Sequence, residues 1–164
     1  GGLGNKIPNQ FLGWLFTKIP GVLSAMTAYY GKLSYEKTRK MLMPMLHDGE
    51  NTSSLEDLVC LMMEEASRKL QNTEKCMDDW QLAYTAPFRL KLNYLPESHK
   101  LSCPTLWLRG ENDPLISQSD MELAARSAPN GELKVVKNAG HLLPLEQPDE
   151  VNRLISGFLT DNRI

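Results

Sequence analysis

The sequence has 164 residues, 41% of them hydrophobic, which allows one ordinary domain or parts of two and is apolar enough for a packed core. Its formal charge of −2, with 23% charged residues and its lysines and arginines scattered, leaves no basic footprint and argues against a nucleic-acid partner. Three cysteines, Cys60, Cys76 and Cys103, without C-x-x-C spacing or a nearby histidine, argue against a disulfide framework and a zinc site and imply reduced thiols in a cytoplasmic protein.

The chain opens Gly1-Gly2-Leu3-Gly4 with no strand before it, and residues 1–8 read as a loop. From 9 to 30 the density of Phe11, Leu12, Trp14, Leu15, Phe16, Ile19, Val22, Leu23 and Met26 predicts two short helices, with Pro20 beginning the second and Gly31 ending it. Lys18, Pro20 and two glycines interrupt this run well short of the ~20 residues that a membrane span needs, and no targeting segment is visible. Ser34 opens a third helix, which Pro44 kinks or ends near Met43, and His47-Asp48-Gly49 makes a turn. Ser53 and Ser54, followed by Glu56 and Asp57, form a capping-box signature. Leu55, Leu58, Val59, Met62, Met63, Ala66 and Leu70 then recur at helical spacing. Gln71-Asn72-Thr73 interrupts the pattern, Cys76, Trp80 and Ala83 resume it, and Pro87 stops it. A short helix and a polar linker lead from Pro87 to Leu101.

The remainder changes character. Thr105, Leu106, Trp107 and Leu108 are apolar or β-prone without alternation, as in a parallel strand covered on both faces. Gly110-Glu111-Asn112-Asp113-Pro114 stops the strand. Ser117 caps a helix with Asp120 in its first turn and Met121, Ala124, Ala125 and Ala128 on one face. Pro129-Asn130-Gly131 ends that helix, Leu133, Val135 and Val136 make a second strand, and Asn138-Ala139-Gly140-His141 follows it. A β-loop-α-turn-β unit makes the strands parallel, so the loops holding Asp113 and His141 share the carboxyl edge where open α/β sheets place their chemistry. Neighbouring strands at roughly 4.8 Å bring the two side chains within reach of each other, as orienter and base.

Strand-Gly-Glu-Asn-Asp-Pro, then helix, strand, Ala-Gly-His and a helix opening Glu146-Gln147-Pro148-Asp149-Glu150-Val151, resembles the last third of the α/β-hydrolase fold, whose triad runs nucleophile, acid, histidine along the chain. The match is specific over 97 to 160. The resemblance implies an α/β chain in which 97–164 form the C-terminal part of the hydrolase's parallel sheet, 9–96 an all-helical cap and 1–8 a loop leaving a missing N-terminal core. It matches Asp113 to the triad acid, with Glu111 the substitute, His141 to the triad histidine, and Glu146 to the acidic residue that many members carry after the histidine in a supporting role. It implies a small apolar ester-like substrate, a pocket to which Trp14, Phe16, Met62 and Trp80 are candidate contributors, and no metal or cofactor.

Each assignment has a plainer rival. His141 alone would read as structural, and Asp113 as a turn-forming residue before Pro114. His47 and His99 read as surface residues, and the methionines at 41, 43, 45, 62 and 63 as core filling rather than a flexible substrate wall. No serine stands in G-x-S-x-G or follows a predicted strand, so the family order places a Ser, Asp or Cys nucleophile upstream of Gly1. The reading is a fragment of a serine-type hydrolase acting on an ester or another carbon bond, inactive alone and partnered by the missing N-terminal half. The rival reading is a non-catalytic binding or interaction module.

Overall fold

The computed structural model describes residues 9–72, 83–91 and 93–163; the opening loop, Cys76 and Trp80 lie outside them. Helices α1 (Gln10–Thr17) and α2 (Val22–Tyr30) divide the first apolar run. Gly21, at φ +81°, stands between Pro20 and α2, so the helix begins at Val22 and not at the proline. The two helices meet at a bend of 104°, and no single helix among the described residues is long and apolar enough to cross a membrane.

Helix α3 (Tyr35–Leu42) starts after Ser34, whose carbonyl accepts the Thr38 N–H at 3.0 Å and the Thr38 hydroxyl at 3.1 Å. Pro44 ends it as expected, in a 3₁₀ turn over Met43–Met45. Helix α4 (Leu55–Asn72) then presents Leu55, Leu58 and Val59 to Leu42 and Leu46, with Met43, Met45, Met62 and Met63 packed around them. Val59 is fully buried and Leu42 nearly so, each stabilising the fold by about 1.5–3 kcal/mol. Leu142, the residue after His141, packs on the same cluster. The apolar core of the helical part therefore reaches the histidine loop.

Pro87 stands in a tight turn, its ring fixing φ and withholding an N–H, and the short helix expected between it and Leu101 forms further along the chain. Thr85 and Leu90 form an antiparallel bridge across the turn, Phe88 stacks on Phe11 at 5.6 Å, and Gln10 Nε2 donates to the Ala86 carbonyl at 2.8 Å. A 3₁₀ helix, Leu95–Lys100, leads to the sheet.

Strand β1 (Thr105–Gly110) pairs in parallel with β2 (Gly131–Val136), from Thr105 opposite Gly131 to Gly110 opposite Val136. The crossover helix α5 (Gln118–Ser127) has its N-cap where the sequence places it, with Ser117 Oγ accepting the Asp120 N–H at 3.1 Å. Its small face of Ala124, Ala125 and Ala128, with Met121, is buried, and α5 packs on both strands. The expectation of a strand buried on both faces is corrected. Thr105 to Leu108 are half-buried and only Arg109 and Gly110 are buried, because among the described residues β2 is the sole neighbour of β1 in the sheet. Val135 on β2 is likewise 40% exposed. The short helix α6 (Leu143–Glu146) and α7 (Pro148–Asp161) close the chain, α7 with its proline, Asp149 and Glu150 in the first turn.

Candidate active site

The site is built where the parallel ladder runs past the ends of its strands. The Glu111 N–H donates to the Val136 carbonyl at 2.8 Å and the Asn112 N–H to the Ala139 carbonyl at 2.9 Å, lashing the loop after β1 to the loop after β2. Two glycines permit this approach. A Cβ on Gly110 would overlap the carbonyls of Ala139 and Gly140, and one on Gly140 would overlap the backbone of Met45 and His47.

Asp113 and His141 meet across this seam. Nδ1 of His141 lies 3.1 Å from Asp113 Oδ1 and 3.0 Å from Oδ2, with the aspartate side chain 7% exposed and the imidazole 33%. Asp113 Oδ1 also accepts the N–H groups of Leu115 at 2.8 Å and Ile116 at 3.1 Å. The turn-forming role and the histidine contact are thus carried by one side chain, and the first prepares the second by fixing the carboxylate. An acceptor on Nδ1 holds the proton there in neutral imidazole, and Nε2 has no hydrogen-bond partner among the described residues.

Burial pushes the Asp113 carboxyl up, but the hydrogen bonds from His141 and from the Leu115 and Ile116 N–H groups, with the attraction of the imidazole, outweigh it and leave the group below the usual carboxylate range. The folded value lies below the unfolded one, so the folded chain binds fewer protons between them. The resulting stability is fully present above the unfolded value, about 3.9, and is lost as pH falls through the folded value. Urea unfolding across that window should show a steeper acid loss for the native protein than for Asp113→Asn; parallel curves would remove the linkage.

A third segment locks the histidine loop. The Glu146 carboxylate accepts the Gly140 N–H at 2.7 Å and the His47 N–H at 2.5 Å, while the His141 N–H donates to the Met45 carbonyl at 2.7 Å. Ser54 Oγ adds a bond to the Leu145 carbonyl at 3.1 Å. Glu146→Gln keeps the shape but turns an amide N–H₂ toward one of the two backbone donors, so the folded state should lose about 1–3 kcal/mol in urea unfolding. An unchanged midpoint would mean that Glu146 tethers nothing.

The family model described as the alpha/beta hydrolase family matches residues 8–154. The chain belongs to that family. Among relatives of this chain, a poly(3-hydroxyalkanoate) depolymerase of Ectopseudomonas oleovorans is 34% identical over 103 residues, 63% of this chain and 34% of that protein. Carboxylesterase YbfK of Bacillus subtilis (strain 168) is 39% identical over 64 residues, 38% of this chain and 22% of that protein. A solved thermophilic esterase from Thermogutta terrifontis superposes with a TM-score of 0.60 at 21% identity, over 97% of this chain and 53% of that one, a likeness of fold. The chain thus spans about half the length of that esterase and about a third of the depolymerase.

Of the residues singled out in the sequence, the fold brings Asp113, His141 and Glu146 together. Glu111 is exposed, and the hydrogen bonds that involve it at the seam are made by its backbone. Trp14 is half-buried with the Lys18 ammonium 5.8 Å from its ring, Phe16 is 49% exposed, Met62 packs on the helical core, and Trp80 is outside the described residues. A polar cleft of about 320 Å³ lies beside Glu146, with His47, Asp48 and Asn138 in its lining, and Trp14, Phe16 and Met62 do not line it. His47 and His99 are exposed, as expected. Sequence reasoning passed over Arg109, buried at the end of β1. The available signal was a cation closing an otherwise apolar strand directly before the acid loop.

Proposed function

We propose that this chain supplies the acid and the base of a serine-type hydrolase that cleaves esters, with Asp113 as orienter and His141 as base. The observation that carries the reading is the Asp113 carboxylate on Nδ1, 3.0 Å away, opposite an Nε2 that is free among the described residues. In this reading Nε2 takes the proton of the nucleophile as it attacks the ester carbonyl, Asp113 stabilises the imidazolium that forms, and Nε2 returns the proton to the departing alcohol. Water then repeats the cycle on the acyl-enzyme. Relatives above 30% identity are named a depolymerase, a carboxylesterase, a monoacylglycerol lipase, a serine hydrolase and an epoxide hydrolase, and the carboxylesterase and lipase among them support an ester as the substrate class.

The nucleophile belongs, in this proposal, to an N-terminal segment of the same protein that lies beside β1. Trp107 Nε1, buried without an acceptor among the described residues, and the edge of β1 opposite β2 are what such a neighbour would complete. Residues 9–96 act as the cap over the site and 97–164 as part of the catalytic core. The proposed substrate is a small apolar ester, and the half-buried Trp14 and the 49% exposed Phe16 are the described side chains available to a pocket wall completed by that N-terminal segment.

The test is turnover of p-nitrophenyl esters of increasing acyl length by the full-length protein, with fluorophosphonate labelling of its nucleophile. Saturable turnover and labelling that disappears in His141→Ala are expected. A folded protein that neither hydrolyses the series nor takes the label would overturn the hydrolase reading in favour of an interaction module.

A further inference from the structure

We infer that Arg109 is a positioning residue whose guanidinium sets the acid loop so that Asp113 meets His141, an inference that rests on the dyad reading above. Arg109 is 7% exposed and points its fork into the loop that follows it. Nε donates to the Ile116 carbonyl at 3.0 Å, Nη1 to the carbonyls of Gly110 at 2.7 Å and Glu111 at 3.0 Å, and Nη2 to the Asp113 carbonyl at 3.1 Å. Residues 110–116 are therefore wound around one cation.

A buried charge is costly unless it is paired or fully hydrogen-bonded. Among the described residues no carboxylate is paired with Arg109, and four carbonyl dipoles take that place. The guanidinium is planar and its donors are fixed relative to one another, so the four oxygens are placed as a set and not one by one. Asp113 is gripped from two sides. Its carbonyl is held by Nη2, while its Oδ1 accepts the N–H groups of Leu115 and Ile116, and the Ile116 carbonyl returns to Nε. With the residue fixed at both ends, the carboxylate has one direction left, toward Nδ1 of His141.

Lysine keeps the charge but offers three donors around a single point, which cannot span carbonyls distributed from 110 to 116. In the full-length protein Arg109→Lys should lower kcat by about 100-fold, the scale of a misplacement near 1 Å, with KM little changed. Titration of ¹³C-labelled Asp113 should move up toward the ordinary carboxylate range in the same variant, since a loosened loop weakens the hydrogen bonds that hold it down. A purely structural arginine would lower the melting temperature and leave both readouts at their native values below it. That outcome overturns the inference. Arg109→Gln, uncharged and with two donors, provides the same readouts if the lysine variant does not fold, and failure of both to fold assigns Arg109 to the fold alone. The underlying dyad is tested separately. If His141→Ala retains turnover, the dyad reading falls, whereas full dependence on His141 beside a native kcat and a native Asp113 titration in Arg109→Lys overturns only the role of Arg109.

Discussion

His141→Ala in the full-length protein should lower kcat by roughly 10⁴- to 10⁶-fold while KM changes little. In the proposed role the imidazole acts as charge develops in the transition state, and its loss would remove an interaction that a bound ester does not yet use. The fold should survive. The His141 bond to the Met45 carbonyl is made by the backbone N–H, Gly140 remains bonded to Glu146, and Leu142 keeps its place on the helical core, none of which needs the ring. Steady-state kinetics with circular dichroism on the same preparation separate the two effects. Native turnover in a folded variant would end the assignment of His141 as base.

The parts of this site that were legible in the sequence are those whose signals are local. Ser117, with Asp120 in the first turn and the alanine face behind it, announces α5, and α5 between two apolar runs makes them parallel and puts both loops on one edge. Asp113 and His141 follow from that placement with no knowledge of distance. Gly110 and Gly140 were visible as turn residues, but their close approach to another backbone is a tertiary fact. Glu146 was recognised by its position after the histidine, whereas its second partner, the His47 N–H, lies 99 residues away in sequence. The position of Arg109 before the acid loop was legible, but its four partners were not, because carbonyls are the same in every residue. The burial of β1 was overestimated for a related reason, since an apolar run records what a strand is suited to contact and not what is present beside it.

Asp113→Asn should lower kcat by about 10⁴-fold while the midpoint of urea unfolding at neutral pH falls only by the stability linked to the ionised carboxylate, and that combination distinguishes a catalytic acid from a turn former. The amide is the same shape as the carboxylate. Its Oδ1 can still accept the Leu115 and Ile116 N–H groups, so the turn before α5 persists and Arg109 keeps its four carbonyls. What changes is the face toward His141. An amide N–H₂ directed at Nδ1 is a donor, so Nδ1 must become the acceptor and the ring proton moves to Nε2, where it occupies the lone pair that the base needs. Asp113→Ala removes both functions and should in addition lose about 1–3 kcal/mol through the two unpaired N–H groups. The pair of variants therefore separates the roles, with activity lost equally in both and the larger loss of stability in alanine. A near-normal kcat in Asp113→Asn would transfer the acid role to Glu111, which is exposed on the same loop, and Glu111→Gln would then carry the loss.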